Sequence, residues 1–261
     1  MVILLLSVIA LGASTLGAIC GIGGGVIIKP LLDAMNIASV STISFLSGLT
    51  VLSMSAYSIL KAFISKENLV DLKTGTPLAA GAAIGGILGK QLFNIIKAAS
   101  ANPDRVGAYQ AISLGIATFG TLIYTLRKDK IKTKEVHGPL FCVLIGLILG
   151  LLSSFMGIGG GPFNLVVLSY FFSMSTKVAA QNSLYIILIS QISSLITTLL
   201  TKSVPEFHFL WLSVMAGGGI LGGIIGRSLN RKMDEKAVNT LFTVFLFIII
   251  AISVCNAIRF L

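Results

Sequence analysis

Gly21-Ile22-Gly23-Gly24-Gly25 and Gly157-Ile158-Gly159-Gly160-Gly161 are one pentapeptide met twice, 136 positions apart in a chain of 261 residues. Each copy follows an apolar run long enough to cross a membrane, and a spacing of roughly half the chain raises the question of an internal repeat. A second pair of landmarks answers it. Gly85-Gly86-Ile87-Leu88-Gly89-Lys90 corresponds to Gly222-Gly223-Ile224-Ile225-Gly226-Arg227, 137 positions later. The predicted organisation is a first transmembrane repeat over 1–130, a basic cytoplasmic linker over 131–137 and a second repeat over 138–261. A duplicated membrane unit with a flexible break at matching positions is the pattern of inverted-repeat transporters.

Composition fixes the class. Hydrophobic residues make up 55% of the chain and charged ones 11%, whereas a soluble domain carries about 25% charge. Eight spans are predicted: Val2–Cys20, Val40–Leu60, Thr76–Ile96, Val106–Leu126, Gly138–Met156, Val178–Leu200, His208–Gly226 and Val238–Ile258. Each meets the requirement of about 20 mainly apolar residues for a hydrocarbon core about 30 Å thick. No alternation of apolar and polar residues marks barrel strands. The expectation is an all-α polytopic membrane protein with two four-span halves. Val2–Cys20 lacks a basic n-region, since the first basic residue is Lys29, so it reads as a span rather than a cleaved signal.

Net charge is +10, yet the basic residues crowd the connections between spans: Arg127, Lys128, Lys130, Lys132 and Lys134 share one of them. That is the mark of a cytoplasmic face lying against anionic lipid, not of a nucleic-acid surface. Eight plain crossings would make the halves parallel and put Arg231, Lys232 and Lys236 on the opposite side. Should each glycine run instead begin a re-entrant half-helix, over Val26–Met35 and Pro162–Phe172, the halves become inverted. Lys61–Lys73, Arg127–Lys134 and Arg227–Lys236 then share the cytoplasmic side. The charge distribution favours the inverted arrangement.

Four glycines in five positions penalise helix by about 4 kcal/mol, at about 1 kcal/mol each. Unwound backbone within a bilayer is tolerated only where protein buries it or it lines a polar cavity. Successive glycine N–H groups can form an anion-binding nest, and a following half-helix adds the positive end of its dipole. The predicted site is therefore built from Gly21, Gly23, Gly24, Gly25, Gly157, Gly159, Gly160 and Gly161. Lys29, four residues beyond Gly25, adds positive potential there or snorkels to the interface. Gly81, Gly85 and Gly89, like Gly218, Gly222 and Gly226, are spaced by four on one helix face, which suits close helix crossing. The stretch from Gly217 to Gly222 fits GxGxxG without a preceding strand, so it carries no dinucleotide site.

The run Gly21–Gly25 followed by Lys29-Pro30-Leu31-Leu32, and the run Gly157–Gly161 followed by Val178-Ala179-Ala180-Gln181-Asn182-Ser183-Leu184, resemble the paired signature of the TauE/SafE transporters, known as sulfite exporters. With the two Gly-Gly-x-x-Gly-Lys/Arg elements, the resemblance covers nearly the whole chain. It implies a permease of the bacterial-type inner (plasma) membrane for a sulfur oxyanion, sulfonate or related organic acid. Pro162, Asn164, Gln181 and Asn182 depart from the family pattern. The amides of Asn164, Gln181 and Asn182 are expected either to contact substrate or to hold helices together.

The expected partners are a small anionic substrate, the lipid bilayer and a coupling proton or sodium ion, with a homo-oligomer left open. Cys20, Cys142 and Cys255 form no CxxC pair, and no cofactor is expected. Lys90 and Arg227 read as interfacial anchors. No acid lies deep within a predicted span, so a coupling proton would ride on the substrate or on His137 or His208. The alternatives of another class are a membrane-embedded sulfur-handling enzyme or redox protein, and a non-transporting assembly subunit.

Overall fold

A computed structural model describes residues 2–65, 69–100, 105–136 and 138–260. Among these the chain forms ten α-helices, a short 3-10 turn at Lys128–Lys130 and one isolated bridge between Glu135 and Phe172. The helices are α1 (Val2–Cys20), α2 (Gly25–Met35), α3 (Val40–Ile64), α4 (Leu72–Ala99), α5 (Arg105–Arg127), α6 (Pro139–Phe155), α7 (Pro162–Phe172), α8 (Thr176–Leu200), α9 (Phe209–Lys232) and α10 (Glu235–Phe260).

Seven of them are long and apolar enough to cross a membrane. The eighth expected span is shorter than predicted. Pro139 opens the first turn of α6 and the second glycine run follows its end, leaving 17 residues, or about 26 Å of helix. The two half-length helices, α2 and α7, have 11 residues each, and each is closed by a left-handed residue, Asn36 and Ser173, at φ 52°. Side chains start α3 and α4. Ser39 accepts from the Thr42 N–H at 3.2 Å ahead of α3, and Asp71 from the Lys73 N–H at 3.0 Å ahead of α4.

Side-chain register gives the direction of each helix. Gly218, Gly222 and Gly226 of α9 face Ala10, Ser14 and Thr15 of α1, so these two helices run parallel. Gly81, Gly85 and Gly89 of α4 face Val143, Leu147 and Leu151 of α6 in the same sense. There the backbones meet so closely that a Cβ on Gly85 would overlap the Leu147 carbonyl. α3 runs parallel to α9, with Thr50, Met54 and Ser58 facing Gly219, Gly223 and Arg227. It runs against α4, because Lys97 reaches back to Ser41 at 2.7 Å. α8 follows α4, since Ser190 donates to the Ala82 carbonyl at 3.3 Å and Lys90 donates to Thr198. α5 and α10 are antiparallel, with Gly115 facing Ser253 and Lys128 bonded to Asn239 at 2.8 Å.

Odd-numbered helices thus run one way and even-numbered helices the other. The α3–α4, α5–α6, α7–α8 and α9–α10 connections all fall at one end of the bundle. The most extensive partners are reciprocal: α6 packs on α4, α1 on α9, α5 on α10, α3 on α9 and α8 on α4. Outward faces carry large apolar side chains such as Leu4, Ile116, Phe119, Leu140, Leu200 and Phe247, all exposed as a lipid-facing surface requires.

Candidate functional site

Between α1 and α2, and again between α6 and α7, the helix is interrupted by residues that need the left-handed region. Gly21 and Gly23 have φ 73° and 75°, and Gly157 and Gly159 have φ 66° and 70°. A side chain at such a position costs about 1–2 kcal/mol. The two breaks lie against each other. A Cβ on Gly25 would overlap the Ile158 carbonyl, and one on Gly160 would stand 3.2 Å from the Ile22 carbonyl oxygen. Ile22 and Ile158, the residues between the strained glycines, are completely buried. Gly24 caps α2 and Gly161 caps α7 without a side-chain hydrogen bond. Two short helices therefore bring their positive N-terminal ends to one locus.

A cavity of about 360 Å³ reaches this locus from the end of the bundle that carries the α8–α9 connection. Its inner end is formed by Gly157 and Gly159, its walls by α3, α4 and α8, and its mouth by Ser203, Val204 and Pro205. Its charged lining residues are both cationic. Lys90 donates to Thr198, and Lys97 donates to Ser41 at 2.7 Å. No carboxylate lies among its described lining residues, whereas Ser44, Ser154, Ser190, Gln191 and Ser194 offer hydroxyl and amide groups. The Ser44 hydroxyl is buried without a hydrogen-bond partner, an arrangement that costs stability unless something occupies it. On the far side of the breaks Ala18, Val51, Met54, Leu184 and Ile187 belong to a buried apolar cluster.

Of the glycines expected at the site, Gly157 and Gly159 line the cavity, while Gly21, Gly23, Gly24, Gly25, Gly160 and Gly161 are packed behind them. Lys29 is not at the interface. It is buried on α2, bonds Asp33 at 2.5 Å, and its Cε would stand 3.0 Å from a Cβ on Gly157. Asp33, in α2 and so outside the eight predicted spans, is nonetheless buried with it. Asn164 is buried at the start of α7, where its amide donates to Ser183 at 3.4 Å and its carbonyl oxygen has no partner.

Gln181 and Asn182 lie elsewhere, near the start of α8 at the opposite end from the cavity mouth. Gln181 accepts from the Leu69 N–H. Asn182 accepts from the Asp71 N–H at 3.0 Å and donates to the Leu69 carbonyl at 3.1 Å and the Val178 carbonyl at 2.9 Å. Their amides are spent on fastening the α3–α4 connection. Lys90, read as an interfacial anchor, lines the cavity instead. Its counterpart Arg227 bonds the Ser58 carbonyl at 3.3 Å and Ser65 at 3.0 Å. His208 caps α9 and rests on Trp211, with ring centroids 5.0 Å apart. His137 lies outside the described residues.

Sequence reasoning missed Ser190, Gln191, Ser194 and Thr198. A signal was present, because polar residues spaced by three and four along an otherwise apolar helix form one polar stripe. Gln191 is the wall residue most intimate with the break, its amide lying where a Gly159 side chain would go.

Comparison with known proteins places this geometry in context. The family model described as "Sulfite exporter TauE/SafE" matches residues 6–253. The chain is 24% identical over 263 residues, spanning 94% of each sequence, to a "Probable membrane transporter protein YunE" of Bacillus subtilis (strain 168). No solved structure gives a significant match.

Proposed function

Since the chain belongs to the TauE/SafE family of membrane transporters, a multi-pass protein of the plasma membrane, we propose that it is a secondary permease for a small anion, a sulfur oxyanion or sulfonate. One observation carries the reading: the cavity that ends on the second glycine break has two lysines and no carboxylate in its described lining. In a water-poor setting two fixed positive charges attract an anion far more strongly than in bulk water. Hydroxyls and amides supply hydrogen bonds without additional charge, which allows release. The N-terminal ends of α2 and α7 add partial positive charge where the ion would stop.

Alternate access is the mechanism that fits these parts. The halves are two inverted repeats meeting at their breaks. The alternating helix directions and the reciprocal pairing of α1 with α9 and α6 with α4 support this. Inversion gathers Arg127–Lys134, Arg231, Lys232 and Lys236 at one end, the cytoplasmic one by the positive-inside tendency. The cavity then opens outward, and the cluster around Val51 and Ile187 closes the inward path. Rocking one repeat against the other would open that cluster and close the mouth.

Flux into proteoliposomes is the test. Purified protein should exchange sulfite or methanesulfonate across the bilayer faster than protein-free vesicles do. A folded, oriented preparation that moves neither anion would sink the proposal.

A further inference from the structure

Next to the second glycine break, with Gln110 in the wall of both, a second and much smaller void of about 10 Å³ adjoins the cavity. That is room for about a single water or a single small ion. Beside Lys29, four oxygen-bearing side chains line it: Asp33 of α2, Gln110 of α5, and Ser253 and Asn256 of α10. All four are at least nine-tenths buried. Asp33 Oδ1, Gln110 Oε1, Ser253 Oγ and Asn256 Oδ1 have no hydrogen-bond partner.

The orientation of the two amides is not arbitrary. Gln110 Nε2 donates to the Phe155 carbonyl at 2.6 Å, and Asn256 Nδ2 donates to the Pro30 carbonyl at 2.8 Å. Each nitrogen is held by an acceptor, so each oxygen is turned to the void. Three acceptors and a hydroxyl facing a one-atom space are a set of hard oxygen ligands. Asp33 also sits in the last turn of α2, whose C-terminal end carries partial negative charge. At the matching positions of α7, Leu165 and Ser169 stand in place of Lys29 and Asp33, so the feature belongs to one half only.

We propose that Asp33, Gln110, Ser253 and Asn256 form a sodium site that couples cation binding to the anion cavity through Lys29. The proposal rests on the permease reading above. Asp33 Oδ2 already holds a cation, the Lys29 ammonium at 2.5 Å. Sodium bound at Asp33 competes for the same carboxylate and releases that ammonium. Lys29 has a short way to go, because its Cε lies against Gly157, a glycine of the cavity's inner end. Lacking a side chain, Gly157 leaves the path open. Freed from Asp33, the ammonium adds a positive charge to the anion site, and a bound anion in turn stabilises it there. The two ions therefore bind with positive cooperativity, each raising the affinity of the other by the same factor.

The experiment is a titration of the full-length protein in detergent with NaCl against choline chloride at fixed ionic strength, read as a melting-temperature shift. It is run at two pH values, with and without sulfite. Wild type should be stabilised by sodium and not by choline, and sodium should raise its apparent affinity for sulfite. Asn256→Leu and Ser253→Ala leave the ion pair intact and should lower sodium affinity about tenfold or more, as expected for losing a hydrogen bond to a charged group. Lys29→Met removes the competitor and should tighten sodium binding while weakening sulfite binding. That pairing of opposite effects is not the outcome of simple misfolding. Equal responses to sodium and choline, a response that follows pH alone, or unchanged sodium affinity in both Asn256→Leu and Lys29→Met would overturn the proposal. Sodium binding without anion flux would instead fault the permease reading, and sodium-independent flux would fault the coupling alone.

Discussion

Gly159 concentrates what a single residue contributes here. Its φ of 70° excludes most side chains, and the space a Cβ would take is held by the Gln191 amide. Gly159→Val should abolish anion flux while leaving membrane insertion intact, since no span or charged loop is altered. Normal flux in a folded variant would show that the break is not part of the site. Lys90 supports a second expectation. Lys90→Met should raise the KM for sulfite about tenfold, the loss of about 1.4 kcal/mol of attraction, with Lys90→Arg retaining most of the affinity. An unchanged KM would assign Lys90 to holding α4 against Thr198. At this scale the sequence was readable where chemistry is local. The glycine runs announce a break wherever they occur, because their cost in a helix is intrinsic. Lys90 was not readable, as only packing decides whether a lysine near a helix end faces lipid headgroups or a cavity.

Among the elements, α2 and α7 were foreseeable as half-length helices because a glycine run precedes each and a polar stretch follows. Their neighbours were not. Gln181 and Asn182 follow the second break closely in sequence, yet α7 carries the chain away from the cavity before α8 begins. Proximity along the chain therefore suggested a contact that the direction of α7 prevents. Asn182 instead makes three bonds, two of them to the Leu69–Asp71 segment. Asn182→Leu should lower stability by about 1–3 kcal/mol through unsatisfied backbone groups. Thermal unfolding should show this with the ratio of sulfite to chloride affinity unaltered; a changed ratio at unchanged stability would return Asn182 to the substrate path. The α4–α6 contact is the less forgiving one. Gly85→Leu would force backbone apart along the whole crossing, and its expected result is loss of folded protein in a fluorescence-detected size-exclusion assay.

For the whole molecule, class and segmentation were legible from hydropathy, because a bilayer demands long apolar helices wherever the chain crosses. The shortfall of α6 was not, since hydropathy continues through Met156 while the backbone turns at Gly157. Orientation is testable by labelling. In a chain with Cys20, Cys142 and Cys255 replaced, cysteines at Lys132 and Arg231 should react from the same, cytoplasmic side, and one at Ser203 from the other. Reaction of Lys132 and Arg231 positions from opposite faces would refute the inverted arrangement.

For the permease proposed above, the apolar cluster of Ala18, Val51, Met54, Leu184 and Ile187 has an electrical consequence. Filled with water, a cavity that reaches the second glycine break would carry the potential of its own side inward with it. The membrane voltage then drops across the thin closed part of the path rather than across the full bilayer. An anion held at Gly159 would then have crossed much of the thickness at little electrical work. Passing the cluster exposes it to most of the field, about 2.3 kcal/mol per elementary charge for each 100 mV. The conformational step that opens the cluster would accordingly be the voltage-sensitive one, and loading the cavity from its mouth would be nearly indifferent to voltage.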